Sequence, residues 1–236
     1  MPTIGPNGET PIDDDFIPGG VAFLKDHVQY IHGYPDGSVR VDTNVTRAEA
    51  ITIIFRLIDD EGKTTPTQSS FYDVPDNEWY SQAVAYAEGK GIVIGYPDGG
   101  FHPDDWLTRA EFATLVSRFV SLEQQEESLR FSDVPDDHWA EPYIYKCVAQ
   151  GLIIGFPDGT FRPENLNTRA EVVVIMNRLL NRGIALADIP EGVPVYSDLP
   201  IDHWAYSHVI EASVEHDYIL NEENSEIWQW PPATIE

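Results

Sequence analysis

The chain has 236 residues, 42% of them hydrophobic, which is enough apolar material for one large or two small domains folded around a core. Its 40 acidic residues against 14 Lys plus Arg leave a formal charge of -26. Such a surface repels polyanions and offers few basic side chains for counterion release, so nucleic acid and anionic membrane are poor candidates as partners. The single cysteine, Cys147, rules out an internal disulfide, and no apolar run approaches the roughly 20 residues of a membrane span. The start MPTIGPNGETPIDDDFIPGG lacks the basic and apolar stretches of a signal peptide, which leaves a cytoplasmic protein or a segment of a longer exported chain.

In chain order, residues 1–20 read as an arm or linker. Over 21–62 the chain carries GYPDG at 33–37 and Thr-Arg-Ala-Glu at 46–49, the latter opening a helix predicted from Arg47 to about Ile58. A linker (60–70) leads to DVPDNEW at 73–79. After Trp79, apolar residues at Ala83, Val84, Tyr86 and Ala87 make the stripe of an amphipathic helix that stops at Gly89. GYPDG returns at 95–99 and Thr-Arg-Ala-Glu at 108–111, with a helix predicted over Arg109 to Val120. Beyond a second linker (121–130), DVPDDHW at 133–139 leads a helix to about Gln150. GFPDG follows at 155–159, and Thr-Arg-Ala-Glu at 168–171 opens a helix from Arg169 to Leu180. A third linker (181–194), DLPIDHW at 198–204 with its helix, and a tail (221–236) end the chain. The Pro-Asp-Gly segments are too rich in Gly and Pro for helix. They call for tight turns, with a short β-ribbon as a further possibility.

The recurring motifs are separated by 62 and 60 residues, and a fixed period of this kind marks a repeat architecture. The fold expected is mainly α, with pseudo-threefold-related helix-loop-helix repeats at 21–62, 69–121 and 129–183. The Trp-led half-repeat at 195–220 would complete the bundle by joining the N-terminal unit, which lacks its own Trp-led opening.

Thr-x-x-Glu before an apolar run is a capping box, so Thr46, Thr108 and Thr168 cap their helices while Glu49, Glu111 and Glu171 reach back to the N-cap amide. Val45 with Ala50 and Leu107 with Phe112 fit a hydrophobic staple; Asn167 breaks it in the third copy. Capping does not ask for Arg47, Arg109 or Arg169. A cation at the first helical position faces the positive end of the helix dipole, at a cost of about 0.3 to 1 kcal/mol. A guanidinium beside free helix N–H groups is an anion-binding constellation suited to a carboxylate or phosphate; the competing reading is an ion pair with one of the chain's own acidic residues. Arg56, Arg118 and Arg178, near the helix ends, need no such explanation.

Together these residues carry a resemblance. D-V-P-x-x-x-W, G-Y/F-P-D-G-x-F-x-P and T-R-A-E in fixed order about every 60 residues resemble the S-layer homology domain in a triple array, over about 27–220. The resemblance implies a three-pronged helical spindle that anchors exported proteins at the cell surface without covalent attachment. The partner implied is a secondary cell-wall polysaccharide or modified peptidoglycan, recognised through a pyruvylated sugar whose carboxylate meets the TRAE arginine, here Arg47, Arg109 and Arg169. The first copy departs from the pattern, with SVRV at 38–41 where the others have GFHP and TFRP.

The expected function is thus a non-catalytic anchor binding an anionic wall polysaccharide at helix N-termini. The alternatives are a glycan-processing enzyme and a protein-interaction or self-assembly module of a surface layer. Tyr34, Tyr96 and Phe156 are placed to line the site, though an aromatic in a repeat is ordinarily core. Gly33, Gly95 and Gly155 supply special backbone angles or close approach, with ligand contact as the second role. Trp79, Trp139 and Trp204 read as core, Asp36, Asp98 and Asp158 as turn residues, and Cys147 as buried and inert. No catalytic residue, cofactor or metal is expected, the histidines lacking metal spacing, and the oligomeric state is left open.

Overall fold

The capping boxes do form, and they set where three of the helices begin. In the computed structural model, which describes residues 23–24, 26–60, 63, 66–122, 129–220 and 226–230, the Oγ1 of Thr46, Thr108 and Thr168 accepts from the third helical amide and the glutamate accepts from the N-cap amide. The helices that follow are α1 (Arg47–Arg56), α3 (Arg109–Phe119) and α5 (Arg169–Leu179). The Trp-led helices are α2 (Ser81–Gly89), α4 (Glu141–Ala149) and α6 (Tyr206–Ser213). Each capping-box helix packs on the Trp-led helix that follows it, α1 on α2, α3 on α4 and α5 on α6. The expected arm (1–20), most of the tail and parts of two linkers lie outside the described residues.

Contacts divide the chain into two compact units. The first, Asn44–Asn167 among the described residues, holds α1 to α4 around Ile54, Tyr86, Phe101, Phe112, Ile144 and Phe161, all 1% exposed or less. The second joins Phe23–Thr43 to Thr168–Glu236 and holds α5 and α6 around Tyr30, Ile31, Val172, Met176, Val209 and Ile210. Fully burying such a side chain is worth about 1.5–3 kcal/mol.

One expectation is corrected. Trp79 and Trp204 are 58% and 61% exposed, and Trp139 is only half-buried. The helices start two residues after each Trp, which turns the next residue inward instead: Tyr80, Ala140 and Ala205 are buried. The last Trp-led helix stops at Ser213, and an antiparallel hairpin, β1 (Asp217–Leu220) with β2 (Glu226–Gln229), follows it. The Pro-Asp-Gly segments form the expected tight turns, closed for example by the Tyr96 amide on the Gly100 carbonyl and the Gly99 amide on the Tyr96 carbonyl.

The motif aspartates tie those turns down. Asp73 accepts from the amides of Phe101 (2.8 Å) and His102 (2.7 Å), and Asp133 from Phe161 and Arg162 at the same distances. In the second unit Asp198 accepts from Val39 and Arg40, so the C-terminal Trp-led motif meets the Gly33 loop of the first copy. The second residue of each pair has left-handed backbone, at φ 57° for His102, 59° for Arg162 and 51° for Arg40. A side chain there is strained, and the two-oxygen grip of an aspartate holds it in place.

Candidate functional site

The free helix N–H groups on which an anion site would draw are occupied. The first two amides of α1 donate to the carbonyls of Asp105 and Pro103, and those of α3 to Asn165 and Pro163. Those of α5 donate to Thr43 and Val41. With the third amide held by the capping threonine, each helix start is satisfied by the loop of another copy, and the expectation of open donors is overturned.

The arginines follow the same logic. Arg47, Arg109 and Arg169 are 3%, 6% and 8% exposed. Arg47 Nε donates to the Phe101 carbonyl (3.0 Å) and its Nη1 lies 3.1 Å from Glu111 Oε1, a buried ion pair. Arg109 Nε donates to the Phe161 carbonyl (3.0 Å) and Nη2 to Ile154 (3.1 Å). Arg169 Nη2 donates to the His32 carbonyl (3.0 Å), but its Nε is buried without a hydrogen-bond partner among the described residues. The arginine that capping did not need is therefore a strut from a helix start to a neighbouring loop. Of the three, only Arg169 keeps its Nε–H unspent. In the third copy, where the staple is missing, buried Asn167 instead donates its side-chain amide to the Thr108 carbonyl.

The glycines serve packing. A Cβ on Gly155 would sit 2.1 Å from Phe131 Cε1, on Gly95 2.3 Å from Phe71 Cε1, and on Gly33 2.6 Å from Tyr196 Cε1. These aromatics, two residues before each motif aspartate, escaped the sequence reading, although Phe71, Phe131 and Tyr196 recur in register.

The loop aromatics are half-buried and each is covered by a basic side chain. The Arg40 guanidinium lies 3.8 Å above the Tyr34 ring, Arg162 3.8 Å above Phe156, and the His102 ring stacks on Tyr96 at 4.5 Å. Asp36, Asp158 and Asp98 pin these side chains at 3.0, 2.8 and 2.8 Å. The carboxyls of Asp36 and Asp158 are pulled down to about 2, first by the hydroxyls of Ser38 and Thr160. Burial works to depress the pKa of His102, but hydrogen bonds to Asp98 and Asp105 outweigh it and raise the pKa.

In the first unit this arrangement borders a cleft of about 420 Å³ lined by Tyr96, His102, Asp105, Trp106, Thr108 and Glu111. Trp106 is 51% exposed. Glu111 is spent on its surroundings: Oε2 accepts from the Thr108 amide, and Oε1 from the Tyr96 hydroxyl (2.8 Å) and Arg47. The Arg47 guanidinium lies 4.7 Å from the Tyr96 ring centre. The cleft therefore presents aromatic faces and an imidazole whose two nitrogens are held by Asp105 and Asp98, with the arginine behind them. Of the residues expected to bind, it collects Tyr96 directly and Arg47 through it. Neither His102 nor Trp106 had been singled out. Their signal is departure from the repeat, His against Arg40 and Arg162, and Trp against Asn44 and Leu166.

Comparison with known proteins agrees with this architecture. The chain is 37% identical over 227 residues to Cell surface glycoprotein 1 of Acetivibrio thermocellus, covering 91% of this chain and 10% of that protein. To the Cellulosome-anchoring protein of the same organism it is 36% identical over 226 residues, covering 93% of this chain and 49% of that protein. The Middle cell wall protein of Brevibacillus brevis is 38% identical over 103 residues, 42% of this chain and 10% of that protein. The chain thus spans about half or less of the length of these relatives. The S-layer homology domain model matches residues 10–51, 70–113 and 130–173, more than half of the sequence, and the chain belongs to the S-layer homology domain family as a triple array of its repeats.

Proposed function

We propose that the chain is a non-catalytic module that anchors a longer exported protein to the cell wall by binding an anionic wall polysaccharide. The relatives named for cell-surface, cellulosome-anchoring and cell-wall roles support an extracellular, wall-associated site of action. The observation that carries the ligand class is the cleft at Tyr96, His102 and Trp106, whose aromatic faces suit sugar rings. Pyruvylated sugar is the ligand implied by the family resemblance, and its ketal carboxylate is the anionic part of the proposed ligand.

The TRAE arginines act in this reading from behind the aromatic wall. Arg47, Arg109 and Arg169 position the loops that carry the aromatics. Tyr34 and Phe156, each under an arginine, are proposed to line the equivalent surfaces of the other copies.

Binding to purified sacculi, with and without their polysaccharide, tests the proposal. Retention only on untreated sacculi is expected; equal retention on glycan-free sacculi would point to the protein-interaction reading. Release of reducing ends from the polysaccharide would point to an enzyme.

A further inference from the structure

One buried polar cluster stands apart from the machinery the repeats share. His27, Glu211 and His216 meet in the second unit where the N-terminal segment, the end of α6 and the approach to β1 come together, and they are 5%, 1% and 3% exposed. His27 Nδ1 lies 2.9 Å from both Glu211 Oε1 and His216 Nε2, and His216 Nε2 lies 3.5 Å from the same Oε1. Atoms so spaced can each stand about 2.0–2.2 Å from one ion, the usual distance for imidazole nitrogen and carboxylate oxygen on zinc.

Two further observations separate this cluster from an ordinary hydrogen-bonded one. His216 Nδ1 is 2.9 Å from the Val214 carbonyl oxygen, which can only accept, so Nδ1 holds the proton and Nε2 turns its lone pair to the centre. A carbonyl on the far nitrogen is the outer partner that a metal-bound histidine usually has. In addition, both Glu211 oxygens are buried and accept no hydrogen bond among the described residues, even though Oε1 sits beside an imidazole nitrogen. A buried carboxylate without a donor is strongly disfavoured unless a cation answers it. The ring planes are also held, His216 against Trp228 at 3.6 Å and His27 against Tyr218 at 4.3 Å.

We propose that His27 Nδ1, His216 Nε2 and the Glu211 carboxylate bind one divalent ion of the zinc class, which clamps the N-terminal segment to α6 and the hairpin. Two imidazoles and one carboxylate suit zinc, whereas calcium and magnesium take oxygen ligands. The second oxygen of Glu211 supplies a fourth ligand, and deep burial makes the site structural rather than catalytic. Arg182, buried in the same unit, donates to the carbonyls of Leu24 and Asp26 and so holds the segment that carries His27. The two histidines are 189 residues apart, so no sequence spacing announces them.

The test strips the full chain with a chelator and titrates it with Co2+, then Zn2+. One Co2+ per chain with visible absorption bands, displaced by Zn2+ but not by excess Mg2+, and a melting temperature raised by Zn2+ are expected. H216Q and E211Q should each weaken Co2+ binding at least tenfold while keeping the helical circular dichroism of the parent. Absence of a stoichiometric Co2+ site on the parent chain, or undiminished binding by both variants, would overturn the assignment and leave the cluster a metal-free polar contact. The titration of the parent chain decides the question even if a variant fails to fold.

Discussion

Replacing Arg109 by Met removes a charge but keeps an apolar stem of similar length, and the structure sets the size of the effect. Two hydrogen bonds from a charged donor are lost, Nε to the Phe161 carbonyl at 3.0 Å and Nη2 to the Ile154 carbonyl at 3.1 Å. Each is worth about 1.5–3 kcal/mol, and the carbonyls are left short of a partner. Against this, removing a cation from the first position of α3 relieves about 0.3–1 kcal/mol of dipole repulsion. The net loss comes to about 2–6 kcal/mol, which at about 2–4 °C per kcal/mol for a chain of this size corresponds to a fall of about 4 °C or more in melting temperature. Thermal unfolding followed by circular dichroism is the assay, with T108A, expected to cost about 1 kcal/mol, as the scale. If R109M melts within about 1 °C of the parent and loses only glycan binding, the strut is a ligand contact after all and the reasoning fails.

Other consequences follow from the same contacts. G155A should destabilise by about 1–3 kcal/mol through overpacking, because its Cβ would meet Phe131 Cε1 at 2.1 Å, and a second change of Phe131 to Leu should recover part of the loss in melting temperature. Cys147 is buried and its thiol is pushed up to about 12 by desolvation, so it should resist a thiol reagent at neutral pH until the chain is unfolded; rapid labelling of the native chain would contradict this. For His102 the folded pKa is raised, so its stabilising contribution is fully present below the ordinary value of 6.5 and is lost as pH rises through the folded value. Glycan affinity should therefore fall across that window in the parent but not in H102R, which carries the arginine of the other copies; parallel pH profiles would remove His102 from the site.

Much of this was legible from the sequence because it is local. A capping box is written within four residues, and a helix face within ten, so the starts of α1, α3 and α5 fall where the motif puts them. The role of the arginine was not legible, because its partners Phe101, Phe161 and His32 lie in another copy's loop and one sequence does not say which carbonyls a folded neighbour will offer. The tryptophans misled for a related reason. A large aromatic ordinarily marks core, but here the helix phase begins two residues later and passes the inward position to Tyr80, Ala140 and Ala205. His102 and Trp106 were hidden by the repeat itself, since attention to what recurs passes over what differs.

The central claim is that the exposed aromatic cleft at Tyr96 and Trp106 recognises an anionic wall glycan. The most direct measurement is calorimetric titration of the chain with defined wall-polysaccharide fragments that carry or lack the pyruvyl carboxylate, repeated with W106A. The account predicts binding of the pyruvylated fragment at least tenfold tighter than its neutral counterpart, and a marked loss of affinity in W106A at unchanged melting temperature, since Trp106 is 51% exposed. Equal affinity for both fragments, or full affinity in W106A, would contradict it.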